Sequence, residues 1–168
     1  MRLGKYLLAG LFIAFLGTGS FTQAEEDPSY LEISAGTWET LRPNRTEPEV
    51  DLTYRSNVEL WVARPQVGVV AARDGDYYAF GGLASDIALT SHIILTPVLD
   101  AGLYGGGGFR LGSHMEFREG GELAYRFQNA SRLGVAFYHL SNAGLTSRNP
   151  GSESALMSYA LPLSDLVP

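Results

Sequence analysis

Apolar and polar residues alternate with a period of two along most of the chain after residue 29. Leu133, Val135 and Phe137, for example, form one row, and the residues between them form another. Such alternation is typical of β-strands, and no apolar stripe of helical period follows the first 24 residues. Eight segments show it. They run near residues 30–39, 48–56, 61–72, 77–88, 92–104, 114–128, 131–140 and 153–163. The chain is therefore predicted to be all-β, with segments close to the length that a tilted membrane strand needs.

The connections between these segments alternate in character. The short ones are Asn57-Val58, Thr90-Ser91 and Asn129-Ala130. The others are Thr40 to Glu47, Gly105 to Gly112 and Ser141 to Ser152, together with the tight Asp74-Gly75. Short periplasmic turns and longer external loops are usual in an outer-membrane barrel whose N-terminus is periplasmic.

Alternation alone fits either a soluble sandwich or a membrane barrel, because the apolar row faces inward in one and outward in the other. Charged residues occupy one face of the sixth segment: Glu116, Arg118, Glu122 and Arg126. These charges, the even strand number and the alternating connections favour the barrel. The fold predicted is an eight-stranded antiparallel up-and-down transmembrane β-barrel.

The N-terminus has the three parts of a secretory signal peptide. Arg2 and Lys5 precede an apolar run over residues 6–16, and small residues stand before the predicted cleavage site after Ala24. Residues 1–24 are thus predicted to be the signal peptide and residues 25–168 the barrel domain, exported to the bacterial outer membrane. This domain lacks Cys and holds ten Arg against eighteen Asp and Glu, a net charge of −8, which argues against nucleic acid as a partner.

Candidate chemistry is concentrated near the C-terminus. His139 and Ser141 are two residues apart, so a strand places both side chains on one face. Glu153 begins the returning strand and can lie beside His139. The three residue types suit a nucleophile, a base and an orienting carboxylate. Because they continue apolar rows, we expect them to face lipid near the external rim, where the accessible ester is the lipid A anchor of lipopolysaccharide.

The His139-Leu140-Ser141-Asn142-Ala143-Gly144 run, with Asn149 and Glu153 at their spacings, resembles the outer-membrane lipid A 3-O-deacylases of the PagL type. The resemblance implies an esterase that removes the 3-hydroxyacyl chain at the 3 position of lipid A without a metal or other cofactor. It implies Ser141, His139 and Glu153 as catalytic residues. It also suggests that Asn149 and the backbone N–H groups around Ala143 and Gly144 hold the oxyanion, and that Asn142 supports the site.

Several alternatives stay open at this point. The same three residues would serve a phospholipase or an acyltransferase, and a structural or adhesive barrel would need none of them. The oligomeric state is also open, with a homodimer as one option. His92 and His114 lack a neighbouring catalytic pattern and are predicted to be structural. Arginines in predicted external loops could contact lipid A phosphates, with Arg148 the first candidate. The others are Arg42, Arg45, Arg73 and Arg110.

Overall fold

The structure, a computed structural model, describes residues 27–165. The predicted signal peptide lies outside the described residues. The strands are β1 (Tyr30–Trp38), β2 (Glu47–Arg55), β3 (Arg64–Ala72), β4 (Tyr77–Ala84), β5 (Ile87–Ala88), β6 (Ile93–Gly105), β7 (Met115–Arg126), β8 (Arg132–Ser141) and β9 (Ser152–Pro162). A short 3₁₀ turn, Leu163–Asp165, follows β9. Within residues 27–165, no helix is long and apolar enough to cross a membrane.

All strands pair antiparallel in one sheet, which closes on itself. The order is β4-β3-β2-β1-β9-β8-β7-β6-β5, and β4 also pairs with β6. The two-residue β5 pairs only with β6 and continues the line of β4, so the wall has eight strands. This arrangement confirms the predicted eight-stranded antiparallel up-and-down barrel, and closure leaves no unpaired sheet edge.

The barrel carries its apolar side chains outside and its charges inside. Val135 and Met157 on the outer face are 57% and 62% exposed, whereas the lumen-facing Glu116, Arg118 and Glu122 are buried. A water-soluble barrel of this size would show the reverse, because exposed apolar surface is costly in water. The alternation thus follows the membrane pattern, as the predicted transmembrane barrel requires.

Ion pairs fill the lumen. Arg118 lies between Asp100, at 2.9 Å, and Asp51, at 3.0 Å, and its guanidinium stacks 3.9 Å from the centre of the Phe80 ring. Nearer the other end, Arg132 contacts both Asp27 and Asp86 at 2.9 Å. Buried charges are tolerated only when they are paired in this way. These ion pairs therefore connect different parts of the barrel wall across the lumen.

The strand predicted at residues 77–88 is interrupted at residues 85 and 86. Ser85 N still donates to Pro97 O, but Pro97 has no N–H to return a bond. The register is the same on both sides of the interruption, since Ala84 pairs with Val98 and Ile87 with Leu95. Thr96 Oγ1 donates to Asp86 Oδ1 at 2.6 Å. Asp86 has the same parity as the buried Ala84, so its carboxylate faces the lumen and reaches Arg132 at 2.9 Å.

The prediction was also wrong at the β2–β3 connection, which spans residues 56–63 and is longer than Asn57-Val58. Leu60 and Ala63 bond each other across a tight turn, and Trp61 within it has a φ of 65°. This local turn takes residues 61–63 out of the strand.

At the opposite end of the barrel, which we call the loop end, the connections are 39–46, 73–76, 106–114 and 142–151.

Candidate active site

His139 and Glu153 face each other across β8 and β9 at the loop end. They are directly paired in the strand register, and His139 Nδ1 lies 3.2 Å from Glu153 Oε1. Their side chains are 28% and 15% exposed and share the outer face with Phe137 and Ala155. The contact fixes the ring so that Nε2 is the nitrogen left to accept a proton.

Ser141 is the last residue of β8 and lies on the same face as His139, half-buried. Within residues 27–165, no hydrogen bond joins its hydroxyl to the imidazole. Two residues along a strand span roughly 6.6 Å between Cα atoms, so Ser141 and His139 are neighbours on the outer face. Catalytic hydrogen bonds commonly tighten only when substrate is bound.

The loop from Asn142 to Gly151 is organised around the buried side chain of Asn142. Its Nδ2 donates to Arg148 O at 2.9 Å and to Thr146 Oγ1 at 3.1 Å. A third contact, at 3.3 Å, reaches Leu111 O in the neighbouring 106–114 loop. Because Asn142 holds the loop from within, it can support a site but cannot itself face a substrate.

The predicted oxyanion donors differ in whether their N–H groups are already hydrogen-bonded within the protein. Gly144 N donates to Asn142 Oδ1 at 3.0 Å, so that backbone group is engaged. Asn149 Oδ1 accepts the Asn142 N–H at 3.0 Å, and this contact leaves its Nδ2 available as a donor. Ala143 is exposed, with a φ of 52°. Asn149 and Ala143 are thus better placed than Gly144 to donate to a developing oxyanion.

Arg148 is exposed and is tied to the next loop by its Nε, which donates to Arg110 O at 3.1 Å. Its own carbonyl accepts from Asn142. Among residues 27–165, no carboxylate lies within ion-pair distance of Arg148, so its terminal nitrogens can meet an anion at the rim.

The structure places three residues beside His139 and Glu153 that the sequence did not assign to this position. Gly151 is buried against the imidazole: a Cβ at this position would lie 2.7 Å from His139 Cε1. Glu119 on β7 is paired with His139 on the side opposite Glu153. Arg42, from the 39–46 loop, has a guanidinium nitrogen 3.7 Å from Glu153 Oε2. The strand register could have indicated Glu119. The contacts of Gly151 and Arg42 depend on how the loops fold over the hairpin.

The other two histidines make local contacts. His92 stacks on Tyr125 and its Nδ1 lies 2.8 Å from Ser91 Oγ, while His114 Nδ1 lies 3.1 Å from Tyr104 O. Over the described range 27–165, no group of three or more His, Asp or Glu side chains is arranged to hold a metal ion.

A closed barrel with an apolar exterior and a polar rim pair defines an outer-membrane β-barrel protein. The family profile "Lipid A 3-O-deacylase (PagL)" matches residues 29–162, and the chain belongs to that family. At the family level it is thus a lipid A deacylase, as the resemblance of the His139–Glu153 region indicated.

Solved structures agree on the fold. The crystal structure of the outer membrane enzyme PagL matches with a TM-score of 0.62 at 19% identity, covering 79% of this chain and 99% of that one. A de novo designed transmembrane β-barrel matches with a TM-score of 0.53 at 12% identity, covering 82% and 98%. A search of curated proteins gave no match.

Proposed function

We propose that the protein hydrolyses the ester-linked 3-hydroxyacyl chain at the 3 position of lipid A, with Ser141, His139 and Glu153 as its catalytic triad. The single observation that supports this most strongly is the 3.2 Å contact of His139 Nδ1 with Glu153, at the lipid-facing rim and two residues from Ser141. A carboxylate at Nδ1 holds the imidazole in the tautomer that accepts a proton at Nε2.

In the proposed reaction, Ser141 Oγ attacks the ester carbonyl while His139 Nε2 takes its proton. Collapse of the tetrahedral intermediate breaks the bond to the sugar oxygen, which leaves with the proton from Nε2. Water then attacks the acyl ester on Ser141, again with His139 as base, and a 3-hydroxy fatty acid departs. Asn149 Nδ2 and the N–H of Ala143 serve as donors to the oxyanion, a contribution typically worth about 10²–10³ in turnover per donor.

The position of the triad suits this substrate. Its side chains lie on the outer wall rather than in the lumen, which is filled by ion pairs. An acyl chain in the outer leaflet can therefore lie along the barrel while its ester reaches Ser141. Arg148, exposed on the loop above, is the residue we propose for a lipid A phosphate, since guanidinium groups bind phosphate well. The homodimer stays a prediction from the sequence.

Ser141→Ala tests the proposal, with Ser56→Ala at the opposite end of the barrel as a matched control. We expect Ser141→Ala to abolish release of 3-hydroxy fatty acid from purified lipopolysaccharide, whereas Ser56→Ala retains it. Mass spectra of lipid A should show loss of one 3-hydroxyacyl chain with the active proteins only. Full activity of Ser141→Ala would refute the mechanism. An added acyl chain or release from phospholipid would instead favour the acyltransferase or phospholipase alternatives.

A further inference from the structure

The 39–46 loop reaches across the rim and contacts the hairpin that carries the candidate triad. Thr40 N donates to Glu153 O at 2.9 Å, which extends the β1–β9 pairing to the candidate residue itself. Two residues later, Arg42 places its guanidinium against both the 142–151 loop and the Glu153 carboxylate. A separate part of the sequence thus forms one wall of the site.

Arg42 is held by three acceptors. Its Nη1 donates to Glu39 Oε2 at 2.5 Å and to Gly151 O at 3.0 Å, and its Nη2 donates to Pro150 O at 2.8 Å. The side chain is only 31% exposed. A guanidinium with three N–H groups already committed to protein acceptors is a poor receptor for a lipid phosphate, in contrast to the expectation for the loop arginines as a group.

The Glu39 that anchors Arg42 is itself unusual. It is buried, it has a φ of 55°, and its Oε1 has no hydrogen-bond partner among the described residues. A left-handed conformation and a buried carboxylate are both unfavourable for Glu, so they persist only where surrounding structure compensates. The ion pair with Arg42 provides that compensation, and it fixes the direction in which the guanidinium points.

The two oxygens of Glu153 then have different partners. Oε1 contacts His139 Nδ1 at 3.2 Å, while Oε2 lies 3.7 Å from Arg42 Nη1. Opposite charge on one side of the carboxylate disfavours its rotation away from the imidazole. The carbonyls of Pro150 and Gly151, drawn to the same guanidinium, place the loop over the His139 ring.

We propose that Arg42 is a positioning residue for the esterase, which orients Glu153 and seats the 150–151 segment on His139. This inference rests on the proposed function. Among residues 27–165, Arg42 makes no hydrogen bond with Ser141, so its proposed effect is exerted through Glu153 and His139. Its loss should lower kcat with little change in KM, because the orientation of the base matters to the transition state more than to substrate binding.

Arg45 offers a matched control in the same loop. Its guanidinium lies 5.2 Å from the centre of the Phe109 ring, the same distance as that of Arg42. It is exposed and, within residues 27–165, makes no ion pair with Glu153. The two variants Arg42→Gln and Arg45→Gln therefore remove the same charge from the same loop but differ in contact with the triad.

The experiment measures kcat and KM of full-length wild type, Arg42→Gln, Arg42→Lys and Arg45→Gln on lipid A and on lipid A stripped of its phosphates. We expect Arg42→Gln to lower kcat by about 10- to 100-fold on both substrates, as a modest misplacement of catalytic groups does. Arg42→Lys, which keeps the charge near Glu153, should recover part of the loss. Arg45→Gln should keep a kcat near that of wild type on both substrates, and a phosphate contact of Arg45 would change only the KM for the phosphorylated substrate.

Two results would overturn the inference. An Arg42→Gln defect confined to KM and to the phosphorylated substrate would show that Arg42 binds phosphate, and an unchanged kcat would show no role. If Arg42→Gln fails to fold, as judged by heat-dependent gel mobility, Arg42→Lys decides by the same kcat and KM criteria. Ser141→Ala is measured in parallel, because its activity would contradict the proposed function rather than the role of Arg42.

Discussion

Gly151→Ala probes how closely the 142–151 loop is fitted to the imidazole. Gly151 has a φ of 70°, and an ideal Cβ would lie 2.7 Å from His139 Cε1 and 3.3 Å from Nε2. Carbon atoms in ordinary contact are roughly 3.5–4.0 Å apart, so the ring or the loop must retreat by about 1 Å. The substitution therefore acts on the proposed base without changing any catalytic side chain.

The expected magnitude has two parts. Left-handed backbone in a residue other than glycine costs roughly 1–2 kcal/mol of stability. A displacement of about 1 Å in a catalytic group can lower turnover by about 10²-fold. Gly75→Ala separates the two effects, because Gly75 has a φ of 80° but open space around its Cβ position, in the turn between β3 and β4. Both variants should lose similar stability, and only Gly151→Ala should lose turnover.

The assay quantifies 3-hydroxy fatty acid released from lipopolysaccharide in detergent, with urea unfolding as the stability measurement. Gly75→Ala should keep its rate within about threefold of wild type, as expected for an exposed turn residue whose added Cβ meets no neighbouring atom. If Gly151→Ala is as active as Gly75→Ala, the close fit of this loop to His139 is irrelevant to turnover and the reasoning fails.

Two predictions concern the barrel itself. Val135→Arg places a cation on the lipid-facing wall and should reduce folding stability in bilayers by roughly 2–4 kcal/mol. A protein with its core on that face would not fold at all. Unfolding titrations in vesicles measure this loss of stability. Asp100→Asn removes one of the two carboxylates that pair with the buried Arg118 and should cost roughly 3 kcal/mol in the same titration, because a charge is left partly uncompensated. A loss under about 1 kcal/mol in the second variant would show that the lumen network contributes little.

Most of the strands of the barrel could be predicted from the sequence. Period-two alternation located eight strands to within a few residues, because a strand with one apolar face must repeat every second residue. It failed where local contacts compete with the sheet. The β2–β3 turn around Trp61 is closed by hydrogen bonds between Leu60 and Ala63, and the interruption at residues 85 and 86 lies opposite Pro97, which cannot donate to the ladder.

The candidate site, too, could be predicted only in part from the sequence. The residues His139, Ser141 and Glu153 could be selected from one hairpin, since parity and antiparallel return place them on one face. What surrounds them could not be selected: Arg42 lies 111 positions before Glu153 in sequence, and Gly151 matters through a contact with the imidazole. Parity within a strand is set by neighbouring residues, but contacts between loops are set only when the closed barrel brings their ends together. The sequence by itself thus determined the strands, their outward apolar face and the central residues, whereas the tertiary structure decided how the charges of the lumen pair and which loop contacts Glu153.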